Sequence, residues 1–148
     1  MSDSKYGKYI VTEPDTYKLG FSAAQPGEDT GRLPTLSYLD NDLVPGSNMH
    51  IAYLRGVRTP TTREQITYHS HPFDEVLLFF GTDLNNPTDL GGEVELVFGE
   101  EREVHKVTKS CAVFIPAGLD HTVTFTRVDR PNIGFSISLT GHYPKAEG

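Results

Sequence analysis

The chain has 148 residues, 36% of them hydrophobic, and a formal net charge of −7 at pH 7. This length suits one domain with its own core. The acidic balance and the absence of a Lys/Arg cluster argue against nucleic acid or an anionic membrane as a partner. No stretch approaches the ~20 apolar residues of a membrane span, the first residues lack a signal-peptide segment, and Cys111 is the only cysteine. These features predict a cytoplasmic protein without an internal disulfide.

Residues 1–46 predict an extended N-terminal arm and not a second domain. Prolines such as Pro14 and Pro26 interrupt the segment, and Lys8 to Thr12 is the short run that predicts a strand. A structureless segment of this length is unusual inside a compact domain. We therefore expect the arm to pack on the remaining chain or on a partner subunit.

Short strand-like runs follow one another between residues 47 and 141, with Gly, Pro, Asn and Asp at the turns, and most of them alternate between apolar and polar residues. About eight or nine such runs occur, and none shows a helical period. They cover residues 49–57, 63–71, 75–80, 93–98, 102–107, 111–115, 121–128 and 133–139. The pattern predicts an all-β sandwich or barrel, such as a jelly roll, followed by a polar tail at residues 142–148.

One of these strands, residues 75–80, is apolar on both faces after its first residue. Leu77 and Phe79 share the parity of Glu75, while Val76, Leu78 and Phe80 face the other way. A strand that is apolar on both faces is covered on both. Together with the long arm, this strand predicts a homodimer.

The run preceding this strand contains a set of metal-binding side chains, spaced His69-x-His71-x3-Glu75. Side chains of a strand alternate between its faces, so His69 and His71 point the same way. Glu75 has the same parity, and its carboxylate can meet the two imidazoles if the chain stays extended or turns back at Pro72. Two histidines and one carboxylate suit a divalent first-row metal with positions left for water or substrate.

A fourth candidate ligand, His121, follows a tight turn that contains Pro116 and Gly118. It opens a strand in which His121, Val123 and Phe125 alternate with threonines, so the histidine lies on the apolar face. A histidine on the core-facing side at the start of a strand can complete a metal site formed by His69, His71 and Glu75.

These two stretches resemble the two motifs of the cupin superfamily. The resemblance implies a small single barrel of the double-stranded β-helix or jelly-roll type, in which His69, His71, Glu75 and His121 hold one metal ion. The ion would be a divalent transition metal, one per chain, with Fe, Mn, Ni, Co, Cu and Zn all open. The sequence departs from the motifs at flanking positions, where Arg63, Thr82 and Ser110 replace glycines and Phe125 replaces an asparagine.

Several further side chains are candidates for the lining of a pocket beside the metal. Gln65 and Thr67 share the face of the ligands and either line the pocket or bond to neighbouring backbone. Tyr53 and Arg55 either face inward, where Arg could bind a substrate carboxylate, or belong to a surface strand. Phe125 is core or pocket wall. Asp74 either orients a histidine or caps the adjacent turn. These residues and alternatives complete the predicted site.

The function that this site predicts is a metalloenzyme acting on a small organic substrate that bears a carboxylate or hydroxyl group. The resemblance allows a dioxygenase, an isomerase or a lyase, and no catalytic residue beyond the ligands stands out. The alternative is a metal-dependent binding or sensing module that turns nothing over. An open coordination position beside polar groups favours the enzyme.

Overall fold

The computed structural model describes residues 4–10, 12, 35–40, 44–45, 49–55 and 68–139, with residues 35, 38, 40 and 49–55 described by their backbone only. Apart from one 3-10 turn at Gly7–Tyr9, the regular structure of these residues is β-strand. The strands are β1 (Thr35–Asp40), β2 (Met49–Arg55), β3 (Glu75–Gly81), β4 (Asp89–Phe98), β5 (Glu103–Lys109), β6 (Cys111–Ile115), β7 (His121–Val128) and β8 (Asn132–Ser138). No helix within the described ranges has the length and apolar character needed to cross a membrane.

The strands form two antiparallel sheets, one in the order β1-β2-β8-β3-β6 and the other in the order β5-β4-β7. Their pairing is nested: β2 pairs with β8, the segment at His69 pairs with β7 through a bridge to His121, β3 pairs with β6, and β4 pairs with β5. A long hairpin wrapped in this way, first strand against last, is a jelly roll. The predicted all-β, double-stranded β-helix fold is therefore confirmed.

The N-terminal part differs from the sequence prediction in two places. Gly7–Tyr9 forms a 3-10 turn where a short strand was predicted, because the turn at Ser4 to Gly7 closes hydrogen bonds locally before an extended segment begins. Strand β1, which lies inside the predicted arm, is the edge strand of the larger sheet. Most of the rest of the arm, namely residues 1–3, 11, 13–34, 41–43 and 46, lies outside the described residues, so the packing of the arm stays a prediction.

The core lies between the two sheets and follows the period-2 pattern of the strands. Its fully or nearly buried members come from β3, β4 and β6: Leu77, Phe79, Leu90, Val94, Leu96 and Ile115. From β7, Val123 and Phe125 pack against this cluster. Each side chain of this size stabilises the fold by about 1.5–3 kcal/mol when it leaves water. The parity that turns Val123 and Phe125 toward the core also turns His121 inward, so core packing sets the direction of that imidazole.

The opposite face of β3 is only partly covered within the described structure. Phe80 contacts Phe135 of β8 edge to face, with ring centroids 6.1 Å apart, yet Phe80 is 43% exposed and Phe114 of β6 is 59% exposed. The larger sheet thus has an apolar outer face.

Candidate metal centre

Backbone pairing brings His69 and His121 side by side. The His69 amide donates to the carbonyl of His121 at 3.1 Å, and the His121 amide donates to the carbonyl of His69 at 2.8 Å. Residues that exchange both hydrogen bonds lie directly opposite each other and present their side chains to the same face. The two imidazole rings accordingly lie with their centroids 4.5 Å apart.

His71 and Glu75 reach the same place through a bend in the chain. The bend at Pro72 and Phe73 lies between His71 and the start of β3. Gly118, in the turn before β7, donates its amide to the carbonyl of His71 at 2.9 Å. The Phe73 ring stacks on the imidazole of His71, with centroids 4.2 Å apart and planes tilted by 6°. This stacking and the Gly118 bond fix the orientation of His71.

The three histidines form a compact cluster of potential metal ligands. One ring nitrogen from each of His69, His71 and His121 lies within 4.8 Å of the other two. The Oε2 atom of Glu75 lies 2.9 Å from Nε2 of His71 and 3.7 Å from Nε2 of His121. His71, Glu75 and His121 are all buried. The structure therefore brings together the four side chains that the sequence singled out.

Backbone carbonyls select the tautomers of two of these histidines. Nδ1 of His71 lies 2.9 Å from the carbonyl oxygen of Phe73, and Nδ1 of His121 lies 2.9 Å from that of Leu119. Because a carbonyl only accepts, each Nδ1 carries the proton, and the lone pair of the neutral ring is on Nε2. Both lone pairs are on the side of Glu75, whose carboxylate also only accepts. A group of acceptors facing one another in a buried place is stabilised by a cation between them.

The surroundings of His121 favour the neutral, metal-binding form of its imidazole. Burial lowers the pKa of His121 below its ordinary value of 6.5, and the neighbouring His69 and His71 lower it further. The hydrogen bond to Leu119 and the charge of Glu75 act in the opposite direction but are outweighed. A neutral imidazole has a free lone pair for a metal, so His121 is poised to bind one at neutral pH.

Two neighbouring groups hold the cluster in place. Ser136 of β8 donates its hydroxyl to Oε1 of Glu75 at 2.6 Å. Asp74 accepts the amide of Ala117 at 2.9 Å through Oδ1. Of the two roles open to Asp74 in the sequence, the structure thus shows capping of the turn that precedes His121.

The turn that links β4 to β5 is hydrogen-bonded to Tyr68 and Asp120, the residues that immediately precede His69 and His121. The Tyr68 hydroxyl donates to the carbonyl of Gly99, and the amide of Gly99 donates to the carbonyl of Asp120 at 2.9 Å. Arg102 places its guanidinium over the Tyr68 ring, 4.2 Å from the centroid, a favourable cation–π arrangement. The turn therefore bridges the strand ends that carry His69 and His121.

The predicted pocket residues are only partly visible. Gln65 and Thr67 lie outside the described residues, as do the side chains of Tyr53 and Arg55 in β2. Phe125 packs edge to face on Phe79, with ring centroids 5.3 Å apart, and adjoins the core. Its part in a pocket wall, like that of the other four, stays a prediction.

Three residues that support the cluster were not identified from the sequence, namely Tyr68, Phe73 and Ser136. The alternation of Ser136 and Ser138 with Ile and Phe in β8 was visible and assigns both serines to one face. It could not show which of them meets Glu75, because that depends on the register between β3 and β8.

Neither a protein-family profile nor a curated protein matches the chain. Among solved structures, a putative mannose-6-phosphate isomerase from Ralstonia eutropha JMP134 is similar at 12% identity, with a TM-score of 0.46 over 81% of this chain and 91% of that chain. An RmlC-like cupin from Methanocaldococcus jannaschii is similar at 13% identity, with a TM-score of 0.47 over 80% of this chain and 87% of that chain. Hydroxypropylphosphonic acid epoxidase from S. wedmorenis in complex with fosfomycin is similar at 11% identity, with a TM-score of 0.44 over 80% of this chain and 59% of that chain.

The chain spans little more than half of the epoxidase's length, 51% in a cobalt(II) form. The fold is established by the nested strand pairing of this chain, and the cluster is established by the positions of its histidines. The chain has the jelly-roll fold of the cupins, with His69, His71 and His121 gathered as the resemblance to that superfamily implies.

Proposed function

We propose that this protein is a metal-dependent enzyme that acts on a small organic molecule bearing a carboxylate or hydroxyl group. In this proposal His69, His71, Glu75 and His121 bind one divalent transition metal ion per chain. The observation that carries the proposal is the convergence of the three imidazoles beside Glu75, with two tautomers set by backbone carbonyls. Nε2 of His71 lies at hydrogen-bonding distance from Oε2 of Glu75, 2.9 Å away, and a divalent ion would replace this contact with bonds to both atoms.

The donor set fits a first-row transition metal better than calcium or magnesium. Imidazole nitrogen is a ligand for Fe, Mn, Co, Ni, Cu and Zn, whereas hard cations prefer an all-oxygen shell. When bound, such an ion supplies Lewis-acid polarisation of a substrate oxygen or activation of dioxygen. The chain contributes the positions of the four donors, three of which are buried, and the Phe73 ring that stacks on His71.

The reaction stays open among oxygenase, isomerase and lyase chemistry. A binding or sensing module without turnover is the alternative, and it shares the same metal site. The protein is an enzyme if its metal-loaded form turns over a carboxylate- or hydroxyl-bearing compound and its metal-free form does not. Tight ligand binding without product would decide for the module.

Replacement of His121 tests the metal site directly. We expect His121→Ala to lower cobalt(II) affinity by at least about tenfold, because loss even of a supporting group around a metal weakens binding 10–100-fold. The matched control is His105→Ala, since His105 is half exposed and pairs with Glu103, on a different strand from the cluster. Isothermal titration measures the affinity, and circular dichroism checks that both variants keep the β-fold.

Equal cobalt affinity in His121→Ala and wild type would show that His121 is not a ligand. A loss of affinity in His105→Ala as large as that in His121→Ala would show that metal binds at the surface and not at the cluster.

A further inference from the structure

Glu75 has its two carboxylate oxygens in different surroundings. Glu75 begins β3 and lies opposite Ser138 of β8, while Ser136 lies opposite Leu77. The hydroxyl of Ser136 reaches back to Oε1 of Glu75 at 2.6 Å. Since a carboxylate only accepts, the hydroxyl donates, and this bond is a short, charge-assisted one. Oε2 is the oxygen near the imidazole nitrogens of His71 and His121.

This asymmetry determines how Glu75 can bind an ion. Carboxylates bind metals through one oxygen or through both. For both oxygens to bind, the carboxylate must rotate so that Oε1 also faces the ion, and this rotation breaks the bond from Ser136. We propose that Ser136 is a positioning residue that holds Glu75 as a one-oxygen ligand and so keeps two coordination positions free for a substrate that chelates through two oxygens.

The class of substrate follows from the count of donors, and this step rests on the proposed metal site. Three imidazole nitrogens and one carboxylate oxygen are four donors, and an octahedral ion accepts two more. Two free positions suit a molecule with a carboxylate next to a hydroxyl or carbonyl oxygen, which binds as a chelate. If Glu75 bound through both oxygens, only one coordination position would remain on the ion. A substrate with two donor oxygens would then bind no more tightly than a simple carboxylate.

The neighbouring serine provides a matched control. Ser138 lies on the same face of β8 and is fully buried, and its hydroxyl has no hydrogen-bond partner among the described residues. Ser138→Ala therefore removes an equal number of atoms beside Glu75 without removing a hydrogen bond to it. Ser136→Thr keeps the hydroxyl and tests for rescue, and Ser136→Cys is a second loss variant of nearly unchanged size, since a thiol is a weak donor.

The experiment uses the full chain loaded with cobalt(II), with oxalate as the two-oxygen probe and acetate as the one-oxygen probe. In wild type, Ser138→Ala and Ser136→Thr we expect equal cobalt affinity and a clear preference for oxalate over acetate. In Ser136→Ala and Ser136→Cys we expect about tenfold weaker cobalt binding, an altered visible spectrum of the bound cobalt, and loss of the preference for oxalate.

Cobalt affinity, spectrum and oxalate preference in Ser136→Ala that match wild type would overturn the role of Ser136 while leaving the metal site intact. A wild-type protein that binds no cobalt would overturn the proposed function itself, and the inference with it. Equal effects of Ser136→Ala and Ser138→Ala would also overturn the inference, because they would indicate a general packing role for both serines.

Discussion

At the scale of single residues, the cluster is defined by which atoms are free to bind. The carbonyls of Phe73 and Leu119 each accept a hydrogen bond from a histidine Nδ1. Ser136 donates a hydrogen bond to one carboxylate oxygen of Glu75. What remains facing inward is a set of lone pairs. The two carbonyl contacts join residues two apart in the chain, whereas the Ser136 contact joins β8 to β3. None of these contacts was predictable from the spacing of His69, His71 and Glu75, although that spacing did predict which side chains would meet.

The pH dependence of metal binding belongs to this scale. Protons compete with the metal for imidazole lone pairs, so affinity falls as the pH decreases. Because burial lowers the pKa of His121 below its ordinary value, His121 loses its proton at a lower pH than a free imidazole does, and its contribution to the decrease sets in at a correspondingly lower pH. Cobalt titrations at pH 7.5, 6.5 and 5.5 measure this. Affinity in wild type that is independent of pH down to 5.5 would contradict imidazole ligation.

At the scale of elements, the site depends on the turn between β4 and β5. Gly99 has a φ of 71° and Arg102 a φ of 54°, so the turn uses left-handed backbone at both ends. From this position Gly99 binds both the Tyr68 side chain and the Asp120 backbone. The turn was predictable from Gly99, Glu100 and Glu101, but its attachment to the histidine strands was not, since it joins residues far apart in the sequence.

Loss of the Tyr68 hydroxyl tests this attachment. We expect Tyr68→Phe to destabilise the fold by about 0.5–1.5 kcal/mol, the usual net contribution of one hydrogen bond, and to weaken cobalt binding while retaining the site. Urea unfolding and cobalt titration measure the two effects. Tyr9→Phe is the control, because Tyr9 is 60% exposed. If Tyr68→Phe behaves like Tyr9→Phe in both measurements, the turn does not support the site.

At the scale of the whole molecule, the fold was largely predictable and the N-terminal region was not. Strict alternation in 121–128 predicted β7 because one face of that strand meets an apolar core. Alternation in 133–139 predicted β8 as a strand, but the apolar residues of β8 lie on the outer face of the sheet, where Phe135 packs beside Phe80. Strand β1 was missed, since its run Leu36-Ser37-Tyr38-Leu39 has no alternation that separates it from loop. An edge strand forms through its pairing with β2, and this information lies outside its own sequence.

The predicted homodimer belongs to the same scale and remains a proposal. Its support is the apolar outer face of the larger sheet, where Phe80 and Phe114 are exposed and Phe135 packs beside Phe80. We expect wild type to elute as a dimer at micromolar concentration and Phe114→Asp to shift toward monomer, because a charge buried in an apolar interface lacks a partner. Gel filtration with light scattering measures the molecular mass of both proteins. A monomeric wild type would contradict the proposed homodimer.

The metal content of the protein itself tests the central claim most directly. Elemental analysis of protein purified without added metal, before and after a chelator wash, measures it. The proposed site predicts about one equivalent of a transition metal per chain, removed by the chelator and restored on incubation with that metal. Absence of metal, together with no uptake of iron, manganese, cobalt, nickel, copper or zinc, would contradict the site and leave His69, His71, Glu75 and His121 as a hydrogen-bonded cluster.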